Sequence, residues 1–225
     1  DTARVLSRYL DGIVIRTYDQ AEAEILADCG SIPVINGLTN FAHPCQVLAD
    51  LMTVREHFAQ LEGLKMGFVG DGFNMCNSLI VGCLKVGMKV SVATPEGYEP
   101  DAKVLAFAEE MKKQGASFEL SHDIHQAADN ADVLFTDAWI GMGQEAEAEK
   151  RRKAFAGFTV DHDLLSCCKE GVMVQHCLPA HRGEEITDEV LEEHADEIFE
   201  ESENRLHAQK AVMVMLMSEK SDFHI

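Results

Sequence analysis

Basic residues are scarce in this 225-residue chain: 19 lysines and arginines stand against 39 aspartates and glutamates, a formal charge of -20 at pH 7. A field of that sign repels phosphate backbones and anionic headgroups, which argues against nucleic-acid or membrane partners. No apolar run approaches the roughly 18 residues that a membrane helix needs. No charged-then-apolar leader opens the chain. The seven cysteines (Cys29, Cys45, Cys76, Cys83, Cys167, Cys168 and Cys177) are odd in number and lack the spacing of a secreted disulfide framework, so a reducing, cytoplasmic compartment is expected. His43 with Cys45 and His176 with Cys177 do not have the paired spacings of structural zinc, and no metal is expected.

What is present is a chain 46% apolar, long enough for one large domain or two modest ones with a real core. Short β-branched runs alternate with amphipathic stretches, the pattern of a parallel sheet covered by helices on both faces. Strands are expected at Gly12–Arg16, Lys65–Gly70, Met88–Ala93, Ser117–Leu120, Val133–Thr136 and Val172–His176. Asp1-Thr2-Ala3-Arg4 reads as the capped start of a helix with a segment expected upstream. Further helices start at Asp19, Asn74 and Asp101 and end at Gly30, Gly87 and Gly115, each glycine standing where a left-handed cap is wanted. A longer helix opens at His43-Pro44, where proline suits the first helical position. The last helix, from about Glu203, is apolar on every side over Ala211–Met217 and is expected to be buried. The fold class is α/β, with two doubly wound parallel-sheet domains. Residues 1–56 and 203–225 form the first, incomplete and closed by the C-terminal helix, and residues 57–202 the second. The charged stretch Gln144–Lys153 reads as a solvated helix or loop.

Polar groups gather at predicted strand ends, where open α/β sheets place their ligands. Each has a plain alternative: Cys177 as an inert buried thiol, Asp137 as a turn cap, Arg16 as a solvated side chain. Gly70-Asp71-Gly72 resembles the opening of a dinucleotide-binding turn, but Met75 stands where the third glycine belongs, which argues against NAD and leaves no cofactor expected. The co-location of these groups is what needs a common cause.

In order and rough spacing, Ile15-Arg16-Thr17-Tyr18, His43-Pro44-Cys45-Gln46-Val47-Leu48-Ala49-Asp50, Thr136-Asp137-Ala138-Trp139, His176-Cys177-Leu178-Pro179 and Glu203-Asn204-Arg205 resemble the motifs of ornithine carbamoyltransferases. His-Pro-x-Gln indicates the wider transcarbamylase family, and His-Cys-Leu-Pro the ornithine branch. The resemblance implies that Arg16, His43, Gln46, Cys177, Leu178 and Arg205 meet carbamoyl phosphate, with Arg16, His43 and Cys177 at the chemistry. It implies that Asn74, Asp137, Gly141 and Met142 hold L-ornithine, and that the assembly is a homotrimer.

Two departures bear on the acceptor. Gly141 stands where the family has serine before Met-Gly, and Phe73 replaces the first of two asparagines. The family's Ser-x-Arg-Thr-Arg phosphate cradle, which belongs upstream of Asp1, occurs nowhere in the sequence. The chain alone is therefore expected to be an inactive fragment. The alternatives are a non-catalytic amino-acid-binding remnant and, in a different class, a nucleotide-dependent dehydrogenase.

Overall fold

The short β-branched runs form strands, in a computed structural model that describes residues 1–218. The first two, β1 (Ile13–Arg16) and β2 (Val34–Leu38), pair in parallel as a small separate sheet. β2 is a correction to the sequence reading, because Asn36-Gly37 in its middle imitates a turn. Gly37 serves instead as a bulge. The register steps from Ile15 opposite Asn36 to Arg16 opposite Leu38, and a Cβ on Gly37 would sit 3.0 Å from the Ile15 carbonyl oxygen. A bulge re-aims a strand end, here the one carrying Arg16.

The remaining strands, β3 (Lys65–Val69), β4 (Lys89–Ala93), β5 (Phe118–Ser121), β6 (Val133–Thr136) and β7 (Met173–His176), form one parallel sheet in the order β5-β4-β3-β6-β7. The helices are α1 (Thr2–Leu6), α2 (Gln20–Cys29), α3 (Pro44–Phe58), α4 (Asn74–Lys85), α5 (Ala102–Lys113), α6 (Ile124–Ala128), α7 (Ala148–Ala154), α8 (His162–Leu165), α9 (Asp188–Glu193) and α10 (Ala195–Met217). Leu79, Ile80 and Val104 of α4 and α5 pack with Met66 and Phe68 on one face of the sheet. Ala127, Leu164 and Val190 of α6, α8 and α9 pack with Val69, Leu134 and Val174 on the other. Burial on both faces is why these strands read as unbroken apolar runs. The chain enters the sheet at β3, winds out to β5 and returns to β6, so the strand order reverses between β3 and β6 and opens a crevice at their carboxyl ends.

Helix ends follow the expected glycines at Gly87 (φ 80°) and Gly115 (φ 99°). Gly30 differs, with φ -88°. Its small size is used for close approach, since a Cβ there would lie 3.0 Å from the Leu26 carbonyl oxygen. Asp1 caps α1 in position, but its side chain accepts no hydrogen bond.

Two further corrections concern α10. It starts at Ala195, eight residues before the expected Glu203, and its apolar end is not buried: Met215 is 66% and Leu216 50% exposed. The reason is geometric. Ile198, Glu201, Asn204 and Ala208 form one buried stripe, and Asn204 Nδ2 donates to Thr53 Oγ1 (2.9 Å) and Glu56 Oε2 (2.8 Å) on α3. Beyond Ala208 the helix runs past that support. Residues 219–225 of the proposed first domain lie outside the described residues.

α10 also covers the open edge of the large sheet. The outward N–H groups of Val174 and His176 on β7 donate to Glu197 Oε2 and Glu201 Oε2, each at 2.9 Å. Four helical residues rise about 6 Å and two strand residues about 6.6 Å, so the two carboxyls match alternate amides of the edge.

Candidate active site

A cavity of about 370 Å³ lies over the carboxyl ends of the strands. It brings together Arg16, His43, Asn74, Asp137, Gly141, Met142, Cys177, Leu178 and Arg205, nine of the ten residues singled out from the sequence. They arrive from separate element ends: Arg16 from the end of β1 beside the β2 bulge, His43 and Asn74 from the starts of α3 and α4, Asp137 and Cys177 from beyond β6 and β7. Gln46 is the exception. It is 1% exposed and stands behind the cavity lining, where its Oε1 accepts from Arg205 Nη1 at 2.5 Å and its Nε2 donates to Asp50 Oδ1 (2.8 Å) and Glu201 Oε1 (2.9 Å). With its amide thus engaged, Gln46 is a holder of Arg205 and not a direct wall of the cavity. Gln209, which the sequence reading did not single out, completes the hold. With its oxygen turned toward Arg205, it accepts from Nη2 (2.9 Å) and Nε (2.8 Å).

His43 stands between the two arginines. Its backbone N–H donates to Ser78 Oγ (2.7 Å), fixing the start of α3 on α4. Burial, reinforced by Arg205 and Arg16, pushes its imidazole from 6.5 down to about 3. It is therefore a neutral group that can donate one hydrogen bond without adding charge. The expected result in an NMR titration is that the His43 ring resonances stay fixed between pH 5 and 8; a transition near 6.5 contradicts the site geometry. The linkage has a definite sign. The unfolded chain takes up this proton near 6.5 and the folded one only near 3, so His43 makes stability fall as pH drops through that window.

The His176-Cys177-Leu178 turn is set by its own hydrogen bonds. Leu178, in the left-handed region at φ 54°, aims its N–H at His176 Nδ1 (2.9 Å). Nδ1 is thus the acceptor, and Nε2 carries the hydrogen that goes to the buried Glu185 Oε1 at 3.0 Å. The Asp137, His176 and Cys177 donor atoms lie within 4.8 Å of one another, yet both imidazole nitrogens are already used, which leaves no lone pair for a metal. Cys177 Sγ donates to Asp137 Oδ1 at 3.1 Å. Burial, with Asp137 beside it, raises the Cys177 thiol well above its usual range, so this sulfur is a protonated hydrogen-bond donor and not a thiolate nucleophile. Asp137 is itself raised by burial, with His176 and the Cys177 thiol opposing.

Asp71 also lines the cavity, and the sequence reading missed the partner that holds it from behind. Asp71, 7% exposed at the carboxyl end of β3, bonds the guanidinium of Arg151, 4% exposed on α7. Arg151 Nε donates to the Trp139 carbonyl (2.6 Å), and its guanidinium carbon lies 4.9 Å from the Tyr98 ring and 5.3 Å from the Phe155 ring. Burial raises Asp71 to about 7, opposed by Arg151 and helped by Asp137. Gln144–Lys153 is therefore not wholly solvated; the one available hint was that Arg151 and Phe155 share a helix face at i, i+4. Gly72 closes the nucleotide reading. A Cβ there would collide with the Tyr98–Pro100 backbone, which occupies the space a pyrophosphate would approach. Near Gly141, the N–H donates to Gln144 Oε1 (2.8 Å), and a Cβ would meet that oxygen at 3.2 Å and Phe73 Cδ1 at 3.7 Å.

The cavity thus has arginines and a neutral imidazole on one wall and carboxylates on the other. Residues 1–56 match the family model described as aspartate/ornithine carbamoyltransferase, carbamoyl-P binding domain, and residues 62–216 the corresponding Asp/Orn binding domain. The ornithine carbamoyltransferase of Thermococcus kodakarensis is 54% identical over 218 residues, which cover 96% of this chain and 69% of that protein. The solved structure of the Pyrococcus furiosus enzyme superposes with a TM-score of 0.90 at 52% identity, covering 96% of this chain and 70% of that one. The structure titled ornithine transcarbamoylase from Giardia lamblia gives 0.88 at 30% identity, covering 97% and 74%. Fold, site polarity and relatedness converge: the chain belongs to the aspartate/ornithine carbamoyltransferase family and is built for carbamoyl transfer.

Proposed function

We propose that the acceptor is L-ornithine, the carbamoyl donor is carbamoyl phosphate, and the products are L-citrulline and phosphate. The observation that carries this reading is the split cavity. Arg16 and Arg205 face the phosphate, and neutral His43 donates to the carbamoyl carbonyl, where negative charge grows as a tetrahedral intermediate forms. Asp137 pairs with the α-ammonium, while Asn74 and the N-terminus of the 12-residue α4 favour the α-carboxylate. Leu178 and Met142 line an apolar passage in which the side-chain amine is held neutral by desolvation.

The amine nitrogen attacks the carbonyl carbon, the bond to the phosphate oxygen breaks, and the departing phosphate takes the amine proton. No side chain is needed as a strong base, because orientation supplies much of the rate. Since the 225 residues contain no Ser-x-Arg-Thr-Arg stretch and the field is that of a -20 chain, this reading expects weak phosphate binding by the chain alone. It divides the chain into 1–56 with 203–225 and 57–202, and places it in the cytoplasm as a homotrimer. All seven cysteines are free, and no described helix is long and apolar enough to cross a membrane.

The test is citrulline formation from carbamoyl phosphate and L-ornithine by this chain, beside the same chain preceded by a relative's Ser-x-Arg-Thr-Arg segment. Turnover by the extended chain, and little by the chain alone, is expected. Ornithine binding without turnover in either favours the non-catalytic remnant.

Gly141 and Phe73 set the fit at the acceptor end. A serine at 141 has its Cβ 3.2 Å from Gln144 Oε1, so that side chain must yield. Gly141→Ser alone should then gain less ornithine affinity than the ~1.5–3 kcal/mol of a free charged hydrogen bond. Gly141→Ser with Phe73→Asn, which removes the ring 3.7 Å away, should gain more than the two single changes added. Additive effects in calorimetric titrations contradict this.

A further inference from the structure

Arg205 lines the phosphate side of the cavity, Cys177 donates to Asp137 of the acceptor side (3.1 Å), and a hydrogen-bonded path behind the wall runs from Arg205 to the residue before Cys177. Arg205 Nη1 donates to Gln46 Oε1 (2.5 Å), and Gln46 Nε2 donates to Glu201 Oε1 (2.9 Å). Glu201 Oε2 accepts from the backbone N–H of His176 (2.9 Å), the residue before Cys177. Glu201 is 1% exposed and is a member of none of the sequence motifs. It alone, among the described residues, bonds both the amide that holds Arg205 and the strand end that carries Cys177.

We infer that Glu201 is a positioning residue that couples the two substrate sites, passing a shift of Arg205 through Gln46 to the end of β7. The inference rests on the functional reading above. Its physical basis is that both carboxyl oxygens are committed to partners on different elements, α3 and β7, so neither partner can move without the other responding. Asp50, fully buried beside it, keeps the path polar and stiff. Its Oδ1 shares the Gln46 amide, and burial raises both carboxyls above their usual range, Glu201 further because Asp50 is beside it. By contrast, Glu197 holds Val174 of the same edge and has no bond to Gln46.

The experiment takes as parent the chain preceded by a relative's Ser-x-Arg-Thr-Arg segment and measures its binding of L-norvaline, the ornithine skeleton without the reacting amine, with and without carbamoyl phosphate. The parent protein should bind norvaline about fivefold or more tightly when carbamoyl phosphate is present. Glu201→Gln has one carbonyl oxygen and satisfies Gln46 or His176 but not both, so the enhancement should fall to within about twofold of none. Glu197→Gln should retain it. A merely structural role for Glu201 would lower the melting temperature of Glu201→Gln and leave the enhancement intact.

A second measurement needs no variant. Carbamoyl phosphate alone should slow amide hydrogen exchange at His176 several times more than at Val174. Undiminished enhancement in Glu201→Gln, independent binding of the two ligands to the parent, or equal exchange effects at the two amides would overturn the coupling. Failure of the parent to bind either ligand would instead overturn the functional reading, and this inference with it.

Discussion

Replacing Arg151 with leucine should cost about 3–5 kcal/mol of folding stability, the range expected when one partner of a buried ion pair is removed. Arg151 is the charge partner of buried Asp71, donates to the Trp139 carbonyl and lies against the Tyr98 and Phe155 rings. Leucine restores none of the polar contacts. The loss should also depend on pH with a definite sign. Asp71 has a folded pKa near 7 against an ordinary 3.8, so even in the parent its ionisation works against folding as pH rises through that interval. Arg151 limits the rise, and its removal pushes Asp71 higher still. Near pH 5 the carboxyl is protonated in both proteins; near pH 8 only the variant must keep a proton or bury an unpaired charge. Urea unfolding at these two values checks the claim, and a deficit that is equal at both would contradict it.

Arg205→Ala should lower kcat/KM for carbamoyl phosphate by about 10²–10³, the scale for losing a donor aimed at charge that grows in the transition state. The guanidinium is held by Gln46 on one side and Gln209 on the other, which leaves one hydrogen on each terminal nitrogen to face a ligand. Arg205→Lys should recover little of the loss, since an ammonium cannot fill both holders and reach the phosphate as a planar fork does. The measurement is steady-state kinetics on a catalytically competent form carrying each substitution. A lysine variant within about threefold of the parent would show that net charge, and not the held geometry, is what matters.

The regular part of this architecture was legible in the sequence because burial on both faces of a parallel sheet imposes a local signal. β3, β4, β6 and β7 are apolar runs bounded by turn residues, and the expected strands lie within a residue of them. β2 escaped because its bulge needs a glycine that also signals a turn. The exposed end of α10 was misread because composition reports what a helix must hide, not whether a neighbour is there to hide it. For the site, side chains that line the cavity were found through motifs at element ends. What was not legible was their support: Arg151, Gln209 and Glu201 reach their partners across 80, 4 and 155 positions of sequence respectively. The short Arg205–Gln209 contact is a helix neighbour that looks like any other glutamine; the other two depend on tertiary packing that no local pattern encodes.

The cover that α10 places on β7 has a consequence during synthesis. The helix that completes the sheet edge is the last described element to leave the ribosome, and its docking surface on α3 is among the earlier ones. Until Glu197 and Glu201 arrive, β7 presents unpaired amides to whatever strand is nearby, and an open edge is a template for pairing with another chain. The nascent protein is therefore most exposed to misassembly in the interval between release of β7 and release of Glu201, the 25 residues that follow His176. At roughly 5–20 residues per second that interval lasts on the order of seconds. A short connection between the edge and its cover thus protects the chain in time as the two glutamates protect it in space.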